Sequence, residues 1–227
     1  RYPFNENAGS TDDRLISFVD FAPAVLSLAG LEIPDYMHGI PFQGDKALSR
    51  RNYIHVAKDR MDPSLDRARA VKDTRFKYIK NYEPQKPFVQ FIPYRDRMAM
   101  MKEMLELNRE GKLDSIESLW FRKTKPAEEL YDTWLDPHEI HNLAGDPDFE
   151  GVLQRLRKAH YIWQDEYVDL GGIPEPELVK MLWGEDGNQP VTSPVEYYIE
   201  NDSLYLTTIT PGASIVYQTP VSLKERP

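Results

Sequence analysis

The sequence predicts an α+β fold, in which a small antiparallel sheet of about four strands carries packed helices and a short all-β segment follows. Three observations predict this fold. Short runs rich in β-branched and aromatic residues lie between positions 52 and 82 and are separated by turn residues. Apolar residues recur at helical spacing on either side of these runs, and apolar–polar alternation returns after position 190.

The composition indicates a folded protein and excludes some classes of binding partner. At 227 residues with 41% hydrophobic content, the chain is long enough to bury a sizeable core. Its net charge of -9 repels polyanions, so we expect no nucleic-acid partner and no acidic membrane surface. No run approaches the roughly 20 apolar residues of a membrane-spanning helix. The absence of cysteine excludes disulfides, thiolate zinc sites and a cysteine nucleophile within this chain.

A short helix is the first predicted element. Asp20 suits its N-cap, Pro23 lies in its first turn and Gly30 ends it. Helical spacing assigns its buried face to four apolar residues, Ala22, Val25, Leu26 and Ala29.

An antiparallel sheet is predicted next. Its first three runs cover residues 52–56, 67–72 and 75–82. The last two of these are separated by Asp73 and Thr74, which form a tight turn. A further strand ends at Leu130 and Tyr131.

Two more helical segments precede that last strand. Apolar residues between Tyr94 and Leu105 share a helix face that stops at Gly111. Asp114 and Glu117 form a capping box for a second, shorter helix. Several methionines fall in this region, and we interpret them as core packing rather than as a ligand groove.

The longest helix follows Asp146, which caps it, with Pro147 at the first helical position. It ends before Gly171. Its apolar stripe comprises Phe149, Val152, Leu153, Leu156, His160, Trp163 and Tyr167. Because His160 lies on this stripe, we predict a packed, hydrogen-bonded core histidine without a functional role.

His138 and His141 lie among several carboxylates and raise the question of a metal site. Their spacing would bring the two imidazoles together on a helix, but Asp136 and Pro137 predict a turn at this position. We therefore interpret the acidic residues as turn formers and caps, with a turn over 136–139.

A separate all-β segment of about three strands is predicted after residue 190. Apolar and polar residues alternate there, with turn signals at Asn201, Asp202, Pro211 and Gly212. Three strands with an open edge rarely stand alone, so we expect either that more chain follows in the parent or that these strands dock on the preceding domain.

Three parts of the sequence carry recognisable motifs. ELYD, DPHE and NLAGDP, followed by an amphipathic helix, resemble the closing segment of the sulfatases of the alkaline-phosphatase superfamily. SFVDFAPAVLSLAGLEIP is similar to the helix after their catalytic core, and RAVKDTRFKYIKNY to their C-terminal sheet hairpin. The sequence around HVAKDRMD is similar to that of bacterial relatives of heparan N-sulfatase. The final strands resemble β-sandwich modules of glycan-degrading enzymes.

The resemblance implies a domain division. Residues 1–48 would be the tail end of the sulfatase α/β catalytic domain, and 49–172 the C-terminal α+β subdomain. Residues 173–190 would be a linker, and 191–227 a partial β-sandwich-like segment. The chain is then expected to be the C-terminal portion of a longer enzyme, with the N-terminal catalytic domain as its partner.

The resemblance also implies cofactors that this chain does not supply. In sulfatases a Cys or Ser in a Cys/Ser-x-Pro-x-Arg motif becomes formylglycine, and Asp and Asn side chains hold calcium. This chain has no cysteine, and none of its serines has the Pro-x-Arg context. We therefore expect calcium and formylglycine in the full-length parent and predict that this chain is inactive alone.

Substrate contacts are the one sulfatase role expected of this chain. The string YIHVAKDRMDPSLDRAR predicts a charged loop after a strand, and its candidate residues are His55, Lys58, Asp59, Arg60 and Asp62. Arg60 suits a bidentate contact with sulfate or carboxylate, and the two aspartates suit sugar hydroxyls. A solvated loop held by local ion pairs is the alternative.

The predicted activity of the parent is hydrolysis of sulfate esters or N-sulfate groups on a sulfated glycan. Two alternatives stay open: a phosphodiester or phosphonate hydrolase of the same superfamily, and a non-catalytic carbohydrate-binding or interaction module. The first helix would expose an apolar face without a partner, so we expect the isolated chain to self-associate. The resemblance alone suggests a periplasmic or extracellular location.

Overall fold

The computed structural model describes residues 9–47, 51–184 and 187–217. The chain forms two compact units, Arg1–Gly171 and Gly172–Pro227. The finer division predicted at residues 48 and 190 stays a prediction.

The first unit is built around a four-stranded antiparallel sheet. Strand order follows the chain, from β1 (Ile54–Met61) and β2 (Ser64–Lys72) to β3 (Phe76–Asn81) and β4 (Glu128–Asp132). Asp73 forms the turn between β2 and β3 as predicted, since its Oδ1 accepts hydrogen bonds from two backbone N–H groups. The predicted α+β class with about four strands is confirmed.

Strand β1 is longer than the sequence pattern indicated. The pattern predicts that it ends at Val56 and continues as a loop, but it runs to Met61 and pairs with β2 except at Asp59, where the register shifts between Lys58 and Arg60. The chain reverses only at Asp62, whose φ is 50°. Charged side chains are accommodated because β1 is an edge strand with access to solvent, and its charges were mistaken for a loop signal.

Helix α3 (Glu150–Tyr167) packs across one face of this sheet. The preceding 3₁₀ turn, Pro147–Phe149, is capped by Asp146, whose Oδ1 accepts from the Asp148 N–H. The core between helix and sheet comprises Val71, Tyr78, Leu130, Leu153 and Leu156. Each buried valine or leucine of this core stabilises the fold by roughly 1.5–3 kcal/mol relative to exposure.

His160 is a core residue of α3, as predicted. Its side chain is fully buried, and its Nε2 lies 2.9 Å from the Tyr82 hydroxyl. Burial and the nearby His55 lower the pKa of His160 to about 4, so the imidazole is neutral at physiological pH.

A long insert between β3 and β4 covers the opposite face of the sheet. It contains α2 (Ala99–Arg109) and a 3₁₀ turn, Glu117–Phe121. The predicted capping box is present, because Asp114 and Glu117 each accept a hydrogen bond from the other's backbone N–H. Of the methionines interpreted as core packing, Met101 is buried, whereas Met98 and Met100 are exposed.

Helix α1 (Phe21–Leu28) has a different buried face from the one predicted. Pro23, Ala24 and Ser27 are buried, whereas Val25 is 62% exposed. Ser27 faces a tight loop, where a Cβ on Gly44 would lie 2.4 Å from the Ser27 hydroxyl oxygen. Only this small-residue side is covered by the described chain, which leaves the larger apolar side open.

The turn after β4 is confirmed. The Glu139 N–H donates to the Asp136 carbonyl, and Asp136 Oδ2 accepts from the backbone N–H groups of Ile140 and His141. Within residues 9–47, 51–184 and 187–217, no group of three or more His, Asp or Glu side chains is arranged to hold a metal ion.

The second unit contains α4 (Glu175–Trp183) and a hairpin of β5 (Glu196–Glu200) with β6 (Ser203–Thr207). Its turn is formed by Asn201 and Asp202, as predicted, and both have positive φ. About three strands were expected, but residues 211–217 are not a strand, and the rest of the expected strand lies outside the described residues. Within the described part of the chain, no helix is long and apolar enough to cross a membrane.

Candidate functional site

Two cavities lie on opposite faces of the four-stranded sheet. The helix-side cavity, about 720 Å³, is lined by alternate residues of β1, among them His55 and Asp59. The insert-side cavity, about 550 Å³, is lined by the intervening Lys58. Successive side chains of a strand point to opposite faces, so one strand contributes to both cavities.

Aromatic rings form one wall of the helix-side cavity. The His55 imidazole stacks on the Trp163 indole, with centroids 5.0 Å apart and planes 4° from parallel. Tyr167 lies 6.2 Å from Trp163 and 4.8 Å from the His38 ring. The predicted stripe of α3 therefore continues beyond the core into a cavity wall.

Burial and the positive charge of Arg51 lower the pKa of His55, and Glu166 opposes this effect. Its Nδ1 is buried and makes no hydrogen bond with the described residues. His55 is therefore a neutral imidazole at pH 7 that lines the cavity.

The polar floor of the helix-side cavity is formed by Asp59, Arg69 and Asp169. Arg67, which does not line the cavity, binds Asp169 and completes a cluster of two arginines and two aspartates. Arg69 is buried and donates from Nη2 to Asp59 at 2.8 Å and to Asp169 at 2.6 Å. Its Nη1 donates to the carbonyls of Lys58 and Ala68. Every nitrogen of the guanidinium is thus bonded, which fixes its orientation.

Asp169 holds this Arg–Asp cluster together. It also accepts hydrogen bonds from Arg67, Gln164 and the Gly171 N–H. Burial alone would raise the pKa of Asp169, but the hydrogen bonds from Arg69, Arg67 and Gln164 outweigh it and hold this pKa well below its usual range. The carboxylate is therefore charged at any physiological pH.

The helix-side cavity has a cationic excess. Among the described residues, its lining includes four cationic side chains, Arg51, Arg69, Arg155 and Lys158, and three carboxylates, Asp59, Glu166 and Asp169. Arg51 is paired with Asp20, and Arg155 with Asp73. Lys158 is exposed and makes no ion pair with the described residues, so its ammonium is available to an anionic ligand.

The five candidates from the sequence do not form one site. His55 and Asp59 meet in the helix-side cavity, whereas Lys58 lies on the opposite face and pairs with Asp66 at 2.6 Å. Arg60 lies in β1 opposite Leu65, and Asp62 lies in the turn after β1. Neither lines either cavity.

Sequence reasoning did not select Arg69, Asp169, Lys158 or Trp163. The alternation of side chains along a strand places Arg67 and Arg69 on one face, and this was the available signal for Arg69. Trp163 was assigned to the core as part of the helical stripe. The pairing of Asp169 with Arg69 spans 100 residues of sequence and has no local signal.

The chain is homologous to sulfatases, as its motifs predicted. It is 43% identical over 218 residues to an ulvan-active sulfatase of Formosa agariphila, covering 96% of this chain and 37% of that protein.

A second ulvan-active sulfatase of Formosa agariphila is 28% identical over 176 residues, covering 75% of this chain and 33% of that protein. The chain thus spans about a third of the length of the curated relatives it matches. No family model matches the chain. The narrower resemblance to heparan N-sulfatase stays a prediction.

Solved structures also align with part of this chain. A 2-O GAG sulfatase aligns with 70% of this chain and 27% of its own, at 22% identity and a TM-score of 0.47. A protein in complex with its substrate D-glucosamine-2-N,6-O-disulfate aligns with 68% of this chain and 25% of its own, at 18% identity and a TM-score of 0.42. The sulfatase assignment rests on sequence similarity and not on these partial matches.

Proposed function

We propose that this chain is part of a sulfatase that hydrolyses sulfate esters or N-sulfate groups of a sulfated glycan. The observation that supports this proposal is the 43% identity to an ulvan-active sulfatase over nearly the whole chain. Because the chain spans 37% of that relative, the activity belongs to the full-length protein.

The chain alone is proposed to be inactive. Sulfate transfer requires a nucleophile and groups that stabilise charge on the transferring sulfate. The sequence has no cysteine and no serine in the Pro-x-Arg context, and the described residues do not fit a calcium site. We therefore assign neither formylglycine nor calcium to these residues and derive no chemical step from them.

The part of this chain in the reaction is to bind and orient substrate. The helix-side cavity combines stacked rings with a cationic excess, which suits a sugar ring that carries a negative charge. Lys158 would contact the anionic group, and Trp163 would pack against the ring. His55 would line the site, while the Arg–Asp cluster holds the floor rigid.

Released sulfate tests the function directly. The full-length protein is incubated with ulvan, with sulfated monosaccharides and with an aryl phosphodiester, and free sulfate is measured by ion chromatography. We expect sulfate from at least one sulfated sugar and none from this chain alone. Peptide mass mapping of the full-length protein should also find formylglycine in a Cys/Ser-x-Pro-x-Arg peptide.

The same assay separates the alternatives. Hydrolysis of the phosphodiester without release of sulfate would move the assignment to the phosphodiester or phosphonate hydrolases. Binding of saccharides with no turnover of any substrate would favour a non-catalytic carbohydrate-binding module. Turnover by this chain alone would overturn its proposed inactivity.

A further inference from the structure

The insert-side cavity has a floor of buried polar groups that differs from the Arg–Asp cluster across the sheet. Asp66 is buried and accepts from Lys58 Nζ on one carboxylate oxygen and from Lys125 Nζ on the other. Glu129 is also buried and accepts from Asn81 Nδ2 and from the Tyr131 hydroxyl. Each carboxylate oxygen accepts one such bond, so a second lone pair can still accept a ligand hydroxyl.

The walls of the insert-side cavity are largely apolar and come from the insert. The Phe88 ring lies above the floor, 5.7 Å from Lys125 Nζ. α2 contributes Met104, and the 3₁₀ turn contributes Leu119 and Trp120. Trp120 is 48% exposed, so its ring faces both the cavity and solvent. An apolar wall with a few fixed polar groups is the usual composition of a small-ligand site.

The charge of this cavity is opposite to that of the helix-side cavity. Among the described residues, its lining includes two cationic side chains, Lys58 and Arg122, and four carboxylates, Asp66, Glu117, Glu129 and Glu139. Lys58 and Lys125 are both paired with Asp66, and Lys77 is paired with Glu139, whereas Glu117 and Glu129 make no ion pair with the described residues and carry the remaining negative charge. A sulfate or uronate group brought into this surrounding would meet like charge at close range, which disfavours anionic ligands.

We propose that the insert-side cavity binds an uncharged sugar unit. A pyranose without sulfate has apolar C–H faces that suit the rings of Trp120 and Phe88, and edge hydroxyls that can donate to Asp66 and Glu129. The two faces of the sheet then select different units, an anionic one on the helix side and a neutral one on the insert side. Only the choice of a glycan as ligand rests on the proposed function.

Calorimetric titration of the full-length protein with uncharged tetrasaccharides tests the proposal. Cellotetraose, xylotetraose and mannotetraose are the probes, because they carry no sulfate and need no turnover. We expect at least one to bind, and Trp120→Ala to weaken that binding at least tenfold. Trp120→Phe keeps a ring in the same place and should bind within about threefold of the unchanged protein.

Trp134→Ala is the matched control, since Trp134 is also exposed but lines neither cavity. It should leave tetrasaccharide binding unchanged. Absence of binding to all three probes, or equal binding by the Trp120→Ala variant, would overturn the proposal. Binding in a protein that releases no sulfate would keep this proposal and refute the proposed function, so the two fail separately.

Discussion

At the scale of single residues, the fixed geometry of the Arg–Asp cluster depends on the absence of a side chain at Gly171. A Cβ there would lie 2.1 Å from Arg69 Nη2 and 2.3 Å from Asp59 Oδ1. The end of an arginine can usually move aside, but Arg69 is buried and hydrogen-bonded at every nitrogen. Gly171 is therefore a packing requirement of the helix-side cavity.

Gly171→Ala should destabilise the protein by about 1–3 kcal/mol, because the added methyl group overpacks this cluster. Scanning calorimetry should show a lower melting temperature. Gly151→Ala is the control, since a Cβ at Gly151 in α3 meets nothing within 4 Å. It should raise stability by roughly 0.5–1 kcal/mol through helix propensity. Equal effects of the two substitutions would contradict the packing argument.

Arg60 remains the substrate contact predicted from sequence. In the full-length protein, Arg60→Ala should raise KM for a sulfated saccharide more than for a small aryl sulfate, because only the larger ligand extends beyond the reacting group. Steady-state kinetics on both substrates measures this difference. Lys102→Ala, at an exposed position of α2, is the control and should change neither value. Equal increases of KM on both substrates would remove Arg60 from the site.

At the scale of elements, α3 is attached to the sheet by its core and by one bidentate ion pair. Arg157 donates from Nε and Nη2 to the two oxygens of Glu128 in β4, at 2.9 and 2.7 Å. The hydrogen bonds from Arg157 outweigh burial and lower the pKa of Glu128 to about 2. This contribution to stability is complete above pH 4.5 and is lost as the pH falls toward 2.

His160 makes the stability of the packing between α3 and the sheet depend on pH over a higher range than Glu128 does. Its pKa falls from 6.5 in the unfolded chain to about 4 in the folded one, so the unfolded state binds more protons between these values. Stability from this group is complete above pH 6.5 and decreases as the pH falls to 4, by up to about 3 kcal/mol.

Hydrogen exchange of α3 amides, corrected for intrinsic rates, should therefore show decreasing protection from pH 6.5 to 4. The His160→Gln variant should lose less protection over this range, since glutamine does not titrate. An identical pH dependence in both proteins would exclude His160 as the titrating group.

Local signals explain which elements were predictable. The Asp114–Glu117 capping box, the Asp146 cap and the turn at Asp136 are each set by residues within a few positions, and all were found. The end of β1 and the buried face of α1 were missed, because strand pairing and the covering loop decide them. The two cavities could not be predicted, because they depend on how distant segments meet across the sheet.

At the scale of the whole molecule, the open side of α1 is an extended apolar surface. Phe18 is 90% exposed, Val25 is 62% exposed and Phe21 is 50% exposed. Patches of this kind usually mark a surface that another chain segment or another molecule covers. This surface is consistent with the expectation that the isolated chain associates with itself.

The isolated chain should accordingly sediment as dimers or larger species at micromolar concentration. Phe18→Ser with Val25→Ser should shift it toward monomer, because both changes remove exposed apolar area. Replacing Tyr197, which is exposed in β5 of the second unit, with Ser is the control and should not produce the same shift. A monodisperse monomer that melts cooperatively without these changes would refute the prediction.

The long separation between Arg69 and Asp169 has a consequence for how the chain acquires its structure. During synthesis, 100 residues must be added after the arginine before its aspartate partner exists. Until then the guanidinium has only nearby carbonyls and Asp59 to neutralise it, and burying it would be costly. The helix-side face of the sheet can therefore become buried only late, after nearly the whole first unit has emerged from the ribosome.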